Sequence, residues 1–220
     1  MNNNEEGYIS IVLGKAGVGK SCFINSITKS RNCKTSDGPE ICTTKYNITK
    51  TTHNKSNYYF IDTPGFDYCT LQHVNNSQLF LNYIKKVITE YPKIRCLIIL
   101  FYFYMNSHGL DNLKKIKESF PVKNFLEHVI VVRTKVDKHS PKFLWKKESS
   151  RKQTKIIMNC INNGSNDLSD YLSNKNIEQL KDIEEYYVDC REDEYDNFEN
   201  NEVEFNKIFD RIKNTPPIFN

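Results

Sequence analysis

Strand-like runs recur along the chain at residues 8–13, 46–52, 57–61, 94–103, 129–133 and 186–190, and the inner ones are apolar throughout rather than alternating. A strand with one face in water alternates; one that is apolar on both faces is covered on both. Between these runs the apolar residues change to helical spacing, at residues 21–29, 78–91 and 110–120. In the third of these Leu113, Ile116 and Phe120 form one stripe and Pro121 closes the segment. A further stripe, Phe205, Ile208, Phe209 and Ile212, predicts a C-terminal helix over about residues 199–213. Strands alternating with helices imply βαβ units, and so an α/β fold: a six-stranded, mostly parallel sheet with helices on both faces. Two stretches fall outside the pattern. Residues 30–44 are polar with Gly38 and Pro39, a long loop of the kind that is usually functional or disordered. Residues 137–166 exceed what a connection needs and predict an extra helix that begins near Ser140 and Pro141.

Composition adds little to this outline and removes some classes. A chain of 220 residues with 38% hydrophobic positions can bury one substantial core, and residues 1–220 are expected to form a single domain. The seven cysteines lack CxxC spacing and the histidines show no zinc spacing, so reduced thiols in a cytoplasmic protein are expected. The start MNNNEEGY shows no basic region followed by an apolar one, Asn2 leads us to expect no N-terminal myristoylation, and the apolar run 96–105 is too short to span a bilayer. Net charge is only +4, but Lys142, Lys146, Lys147, Arg151 and Lys152 crowd one stretch while residues 178–204 are acidic. Each block is a solvated face or, more sharply, a surface for a partner; the basic one would suit a peripheral membrane contact.

Three motifs carry chemistry. The first, GKAGVGKS, runs from Gly14 to Ser21 with a strand before it and a helix after it, the context a GxxxxGK[ST] phosphate loop requires. The backbone N–H groups from Gly14, Lys15, Ala16, Gly17, Val18 and Gly19 into Lys20, Ser21 and Cys22 would curl into an anion-binding nest at the positive end of the helix. Lys20 supplies a mobile charge to the β- and γ-phosphates, and the Ser21 hydroxyl is suited to Mg2+.

The second motif, YYFIDTPGFD, ends a buried strand in Asp62. A carboxylate there is costly unless it faces a cation, so Asp62 is a candidate to hold a Mg2+-bound water, and the N–H of Gly65 is a candidate to meet a γ-phosphate. The third, VIVVRTKVDK, sets Thr134, Lys135 and Asp137 after another buried strand. The two oxygens of Asp137 could accept from guanine N1–H and the 2-amino group together, a donor pair that adenine lacks, with the Lys135 stem laid along the base. Such a contact is worth about 1–3 kcal/mol of discrimination.

These motifs, in this order, look like a Ras-like GTPase. GKAGVGKSCFINSI, DTPGFDY, GLDNLKKIKESFP with FLEHVIVVRTKVD, and DLSDYLSNKNIEQLKDIEEYYVDC resemble the immunity-associated nucleotide-binding (GIMAP-like) GTPases, related to septins and to chloroplast import-receptor GTPases, over residues 8–213. The resemblance implies a Ras-like P-loop GTPase fold, with GTP or GDP and Mg2+ as ligands. It also implies a nucleotide-dependent homodimer and no nucleic-acid partner. A switch threonine for Mg2+ and γ-phosphate is implied in CTTK, at Thr43 or Thr44; Thr44, directly before Lys45, is favoured, which makes Lys20, Thr44 and Gly65 the expected catalytic set and Ser21, Thr44 and Asp62 the metal set.

Thr134, where asparagine is commoner among GTPases, points to the same group. Two features depart from the family pattern: YYVDC at residues 186–190 stands where an asparagine pair often lies near the base, and residues 138–165 look like a basic insertion. Phe66 follows the glycine of DTPG, where Ras-like enzymes often carry a water-orienting glutamine, so slow intrinsic turnover is expected. Two other readings stay open at this stage: a GTP-dependent scaffold with negligible turnover, and an ATP-using P-loop enzyme.

Overall fold

The computed structural model describes residues 7–35, 43, 45–65, 76–102, 114, 116–118, 120, 122, 124–134, 143–162, 182–189 and 197–219. Its elements are β1 (Tyr8–Gly14), α1 (Lys20–Thr28), β2 (Asn47–His53), β3 (Ser56–Asp62), α2 (Asn76–Glu90), β4 (Ile94–Phe101), a 3-10 turn (Phe125–His128), β5 (Val129–Arg133), α3 (Phe143–Asn162), β6 (Glu185–Tyr187) and α4 (Asn197–Asn214). The strands form one sheet in the order β2-β3-β1-β4-β5-β6. All neighbours are parallel except β2, which runs antiparallel to β3. This is the six-stranded, mostly parallel α/β arrangement that the pattern predicts.

The unbroken apolar runs are explained by the layers. On β1, Ile11 and Leu13 face a core shared with Ile84 and Val87 of α2 and Ile157, Met158 and Ile161 of α3, while Val12 faces Phe23, Ile24 and Ile27 of α1 and Phe205, Ile208 and Ile212 of α4. On β4, Leu97, Ile99 and Phe101 go to the first layer and Cys96, Ile98 and Leu100 to the second. Period 2 is still present; both phases are apolar because both faces are covered.

β2 differs because it is an edge. It spans 47–53 rather than 46–52, buries only Thr49 among exposed and partly buried positions, and meets β3 through Asn54 and Lys55, both in the left-handed region at φ 47° and 63°. Two successive left-handed residues make the tight turn whose twist matches a hairpin. β4 stops at Phe101, two residues before the apolar run ends, and β6 covers 185–187 rather than 186–190.

The expected helix over 110–120 falls mostly outside the described residues; residues 114 and 116–118 are helical, and Ile116 and Phe120 are fully buried. Beyond α4 the chain turns at Pro216 and Pro217. Ile218 N–H then donates to Ile94 O at 2.7 Å and Phe219 stacks on Phe120. Arg95 Nη1 holds this return by donating to Thr215 O at 2.7 Å. Among the described residues no helix is long and apolar enough to cross a membrane.

Because β1, β3, β4 and β5 are parallel, their carboxyl ends share one edge of the sheet. The chain after each is brought to a common crevice, where open α/β sheets bind ligands.

Candidate functional site

The loop after β1 turns into α1 through glycines at positive φ. Gly17 lies at 72° and Gly19, the N-cap of α1, at 95°, and no side chain caps the helix start. A nest of N–H groups at a helix N-terminus is left with its field unopposed by a capping oxygen, as anion binding requires. Gly14 is required for a different reason: a Cβ there would stand 2.9 Å from Leu100 O and 2.9 Å from Val18 Cγ1. Lys20, 6% exposed, folds back along the loop and donates from Nζ to Lys15 O at 3.0 Å and Gly14 O at 3.3 Å.

Beside the loop three oxygens meet. Ser21 Oγ donates to Asp62 Oδ2 at 2.7 Å, Thr43 Oγ1 donates to the same oxygen at 3.2 Å, and the two hydroxyls lie 3.2 Å apart. Asp62 is 2% exposed, and its other oxygen, Oδ1, is buried with no hydrogen-bond partner. Burial pushes this carboxyl above its ordinary range, against the opposing effects of the Ser21 hydroxyl, the Lys20 charge and the Thr43 hydroxyl. A buried carboxylate with one oxygen spare, beside two hydroxyls, is a hard-oxygen donor set that fits Mg2+, which keeps part of its shell for water and phosphate. Thr44 lies outside the described residues; the hydroxyl at this corner is that of Thr43.

Asp62 and Gly65 belong to one short segment that passes over the loop. Gly65 touches the backbone of Ala16 so closely that an added Cβ would stand 2.3 Å from Ala16 N and 2.7 Å from its Cα. Thr63 Oγ1 fixes the same segment to β1 by donating to Val12 O at 2.6 Å.

From the third motif, Thr134 is fully buried and spends its hydroxyl on the phosphate loop, donating to Val18 O at 2.5 Å. Lys135 and Asp137 lie outside the described residues, as does Phe66. Lys15 is exposed, and Ala16 and Cys22 are partly buried, with Cys22 in no disulfide.

Two features of the site were not read from the sequence. Tyr102, the first residue after β4, donates from its phenol to Gly17 O at 2.7 Å. Arg133, fully buried, pairs through Nε and Nη2 with Glu185 Oε1 at 3.2 and 3.0 Å and donates from Nη1 to Tyr102 O at 2.6 Å. Thr154 and Tyr187 also donate to Glu185, the latter at 2.5 Å. A buried guanidinium opposite a glutamate 52 residues away is visible only once β5 and β6 are in register.

A groove of about 930 Å3 opens away from the crevice, between α3, β6 and α4, with Lys147, Arg151, Lys155, Glu184, Tyr187 and Arg211 among its lining residues. Its charges largely pair: Lys155 with Asp182, Lys152 with Glu148, Lys207 with Glu204, Arg211 with Glu184. Of the basic stretch foreseen in the sequence, Lys152 and, at its end, Lys155 meet acids here, and Lys142 lies outside the described residues.

Comparison with known proteins agrees with this geometry. The family described as 50S ribosome-binding GTPase matches residues 10–159. A relative, "Probable GTP-binding protein EngB" of Campylobacter jejuni (strain RM1221), is 28% identical over 172 residues, 75% of this chain and 84% of the relative. Toc33 of Arabidopsis thaliana, solved with GDP and Mg2+, superposes with a TM-score of 0.69 at 17% identity, covering 98% of this chain and 88% of Toc33. A structure of the chloroplast translocon components atToc33 and psToc159, for which dimerization is described as important for GTPase activity, gives a TM-score of 0.67 at 20% identity over 94% and 81% of the two chains. At these identities the structural likeness speaks for the fold.

Proposed function

The chain belongs to the 50S ribosome-binding GTPase family, and from that premise we propose that it is a Mg2+-dependent GTP hydrolase, slow as a monomer and activated when two copies pair their nucleotide faces. The observation that carries the proposal is the corner made by Ser21, Thr43 and Asp62 beside the phosphate loop, with Asp62 Oδ1 spare. In this reading Gly14, Lys15, Ala16, Gly17, Val18, Gly19 and Cys22 offer backbone to the phosphates, and Lys20 turns its ammonium from Gly14 O and Lys15 O to the β- and γ-oxygens. Ser21, Asp62 directly or through water, and the switch threonine hold Mg2+, which when bound neutralises charge on the β- and γ-phosphates. Thr43 takes the threonine role in preference to Thr44 because its hydroxyl already lies 3.2 Å from both Ser21 Oγ and Asp62 Oδ2. Lys135 and Asp137 read guanine, and Thr134 supports the loop from behind. Family membership sets aside the ATP-using alternative.

Slow turnover rests on Phe66. Hydrolysis is an in-line attack of water on the γ-phosphorus, helped mainly by positioning and charge neutralisation. A phenylalanine side chain can neither donate to nor accept from that water. A second subunit can bring the missing group across the interface, and the importance of dimerization for Toc33 and Toc159 activity supports this mode.

Within the family we infer a GIMAP-like member, from GLDNLKKIKESF between the second and third motifs, the T-K-x-D form of the guanine motif and the likeness to Toc33. No nucleic-acid partner forms part of the proposal. Peripheral contact with an anionic membrane would fall to Arg151 and Lys152, the exposed cations of α3; with Lys152 paired to Glu148 this face adds little, and the activity does not depend on it. The deciding experiment is GTP hydrolysis per subunit from well below to well above the dimerisation constant measured with a non-hydrolysable analogue. The rate should rise with the dimer fraction. A flat rate would refute self-activation and favour a separate activating protein.

A further inference from the structure

Two successive carbonyls of the phosphate loop are held from outside by side chains of the residues that follow neighbouring strands. Thr134, after β5, donates to Val18 O at 2.5 Å, and Tyr102, after β4, donates to Gly17 O at 2.7 Å. In a trans peptide unit the C=O and N–H point in opposite directions. Holding Gly17 O on its outer side therefore fixes the direction of the Val18 N–H, and holding Val18 O does the same for Gly19. Without such a hold the unit after Gly17 turns readily, because Gly17 carries no Cβ and sits at φ 72°. The Val18 N–H makes only a long bond to Lys15 O, at 3.3 Å, which does little to stop that rotation.

Tyr102 is built to resist it. Its own carbonyl accepts from Arg133 Nη1 at 2.6 Å, and Arg133 is immobilised by Glu185 and lies over the Phe101 ring. The buried pair thus fixes the main chain from which the phenol reaches. The ring itself is 42% exposed, so core packing does not explain a tyrosine at this place.

We propose that Tyr102 is a positioning residue for nucleotide binding: its hydroxyl keeps the Gly17–Val18 peptide turned so that the loop presents N–H groups to the phosphates before the nucleotide arrives. The proposal rests on the phosphate-loop reading above.

Tyr102→Phe removes one oxygen and leaves the ring. GDP affinity should fall about three- to tenfold, the size of one net hydrogen bond. KM for GTP should rise by the same factor with kcat unchanged, since the loop holds ground state and transition state alike. The unfolding midpoint of the nucleotide-free protein should fall by no more than a few degrees, the loss of one partly exposed hydrogen bond. Wild-type GDP affinity in Tyr102→Phe overturns the proposal, and so does a loss of affinity that comes with a fall in the midpoint of about ten degrees or more, which would mark the hydroxyl as holding the fold. Lys20→Ala, measured alongside, separates the two levels. If it abolishes binding while Tyr102→Phe is silent, only the role of Tyr102 fails. If Lys20→Ala itself binds GDP normally, the underlying phosphate-loop reading fails.

Discussion

Replacing Asp62 by asparagine separates what the carboxylate costs from what it does. Asp62 is 2% exposed, Oδ2 accepts from Ser21 and Thr43, and Oδ1 has no partner. Burial raises its pKa, so the nucleotide-free fold favours the neutral acid. A group whose folded pKa is raised contributes stability below its unfolded pKa, about 3.9 for aspartate, and that contribution is lost as pH rises through the folded value. At pH 8 the ionised carboxylate therefore costs the empty protein stability. An amide of the same size cannot ionise, still offers one oxygen to Ser21 and Thr43, and replaces a charged spare atom by a neutral one. A buried group without a partner costs about 1–3 kcal/mol, and more if charged. The exchange should recover about 1–2 kcal/mol, or about 5 °C in a domain of this size. Thermal unfolding of the nucleotide-free protein should show Asp62→Asn above wild type at pH 8. The gap should narrow as pH falls through the raised folded value. Adding Mg2+ to the GDP complex should stabilise wild type and leave the variant unchanged. A variant less stable than wild type at pH 8, or one that keeps the Mg2+ increment, would refute the assignment of Asp62 as a carboxylate waiting for a cation.

Two other substitutions test neighbouring parts of the account. Gly65→Ala puts a methyl 2.3 Å from Ala16 N, so the segment must lift from the loop; overpacking of this kind costs about 1–3 kcal/mol. The GTP-analogue affinity should fall much further than that for GDP in calorimetry, and an equal loss for both would separate Gly65 from the γ-phosphate. Asp137→Asn should weaken GTP by about tenfold or more and favour xanthosine triphosphate in competition binding, because an amide can donate to the 2-oxo group; an unchanged preference for GTP would mean that another residue reads the base.

Much of the site could be read in advance because its chemistry is carried by the backbone. A phosphate loop needs glycine where φ is positive or where a neighbour comes close, and Gly14, Gly17 and Gly19 meet those conditions one by one. Asp62 was legible for a related reason, a charge at the end of an apolar run. The choice between Thr43 and Thr44 was not, because adjacent residues in a loop differ only in how their peptides are turned, and spacing says nothing of that. Tyr102 was hidden inside the run 94–103, which predicts strand to its end; β4 stops at Phe101, and the next residue turns to the loop. Arg133 looked like a strand terminus, and its partner depends on pairing between β5 and a three-residue strand whose limits the pattern missed by one residue at its start. The pairing of Lys155 with Asp182 was not legible either, because sequence shows charges but not which distant acid folds onto them.

The central claim, that this loop and this corner together hold a Mg2+-bound guanine nucleotide, is tested most directly by calorimetric titration of GDP into the wild-type protein with and without Mg2+, repeated with ATP present in excess. The account predicts saturable one-to-one binding that strengthens with Mg2+ and is indifferent to ATP. Binding that ATP displaces, or that is the same when Mg2+ is withheld, would contradict it.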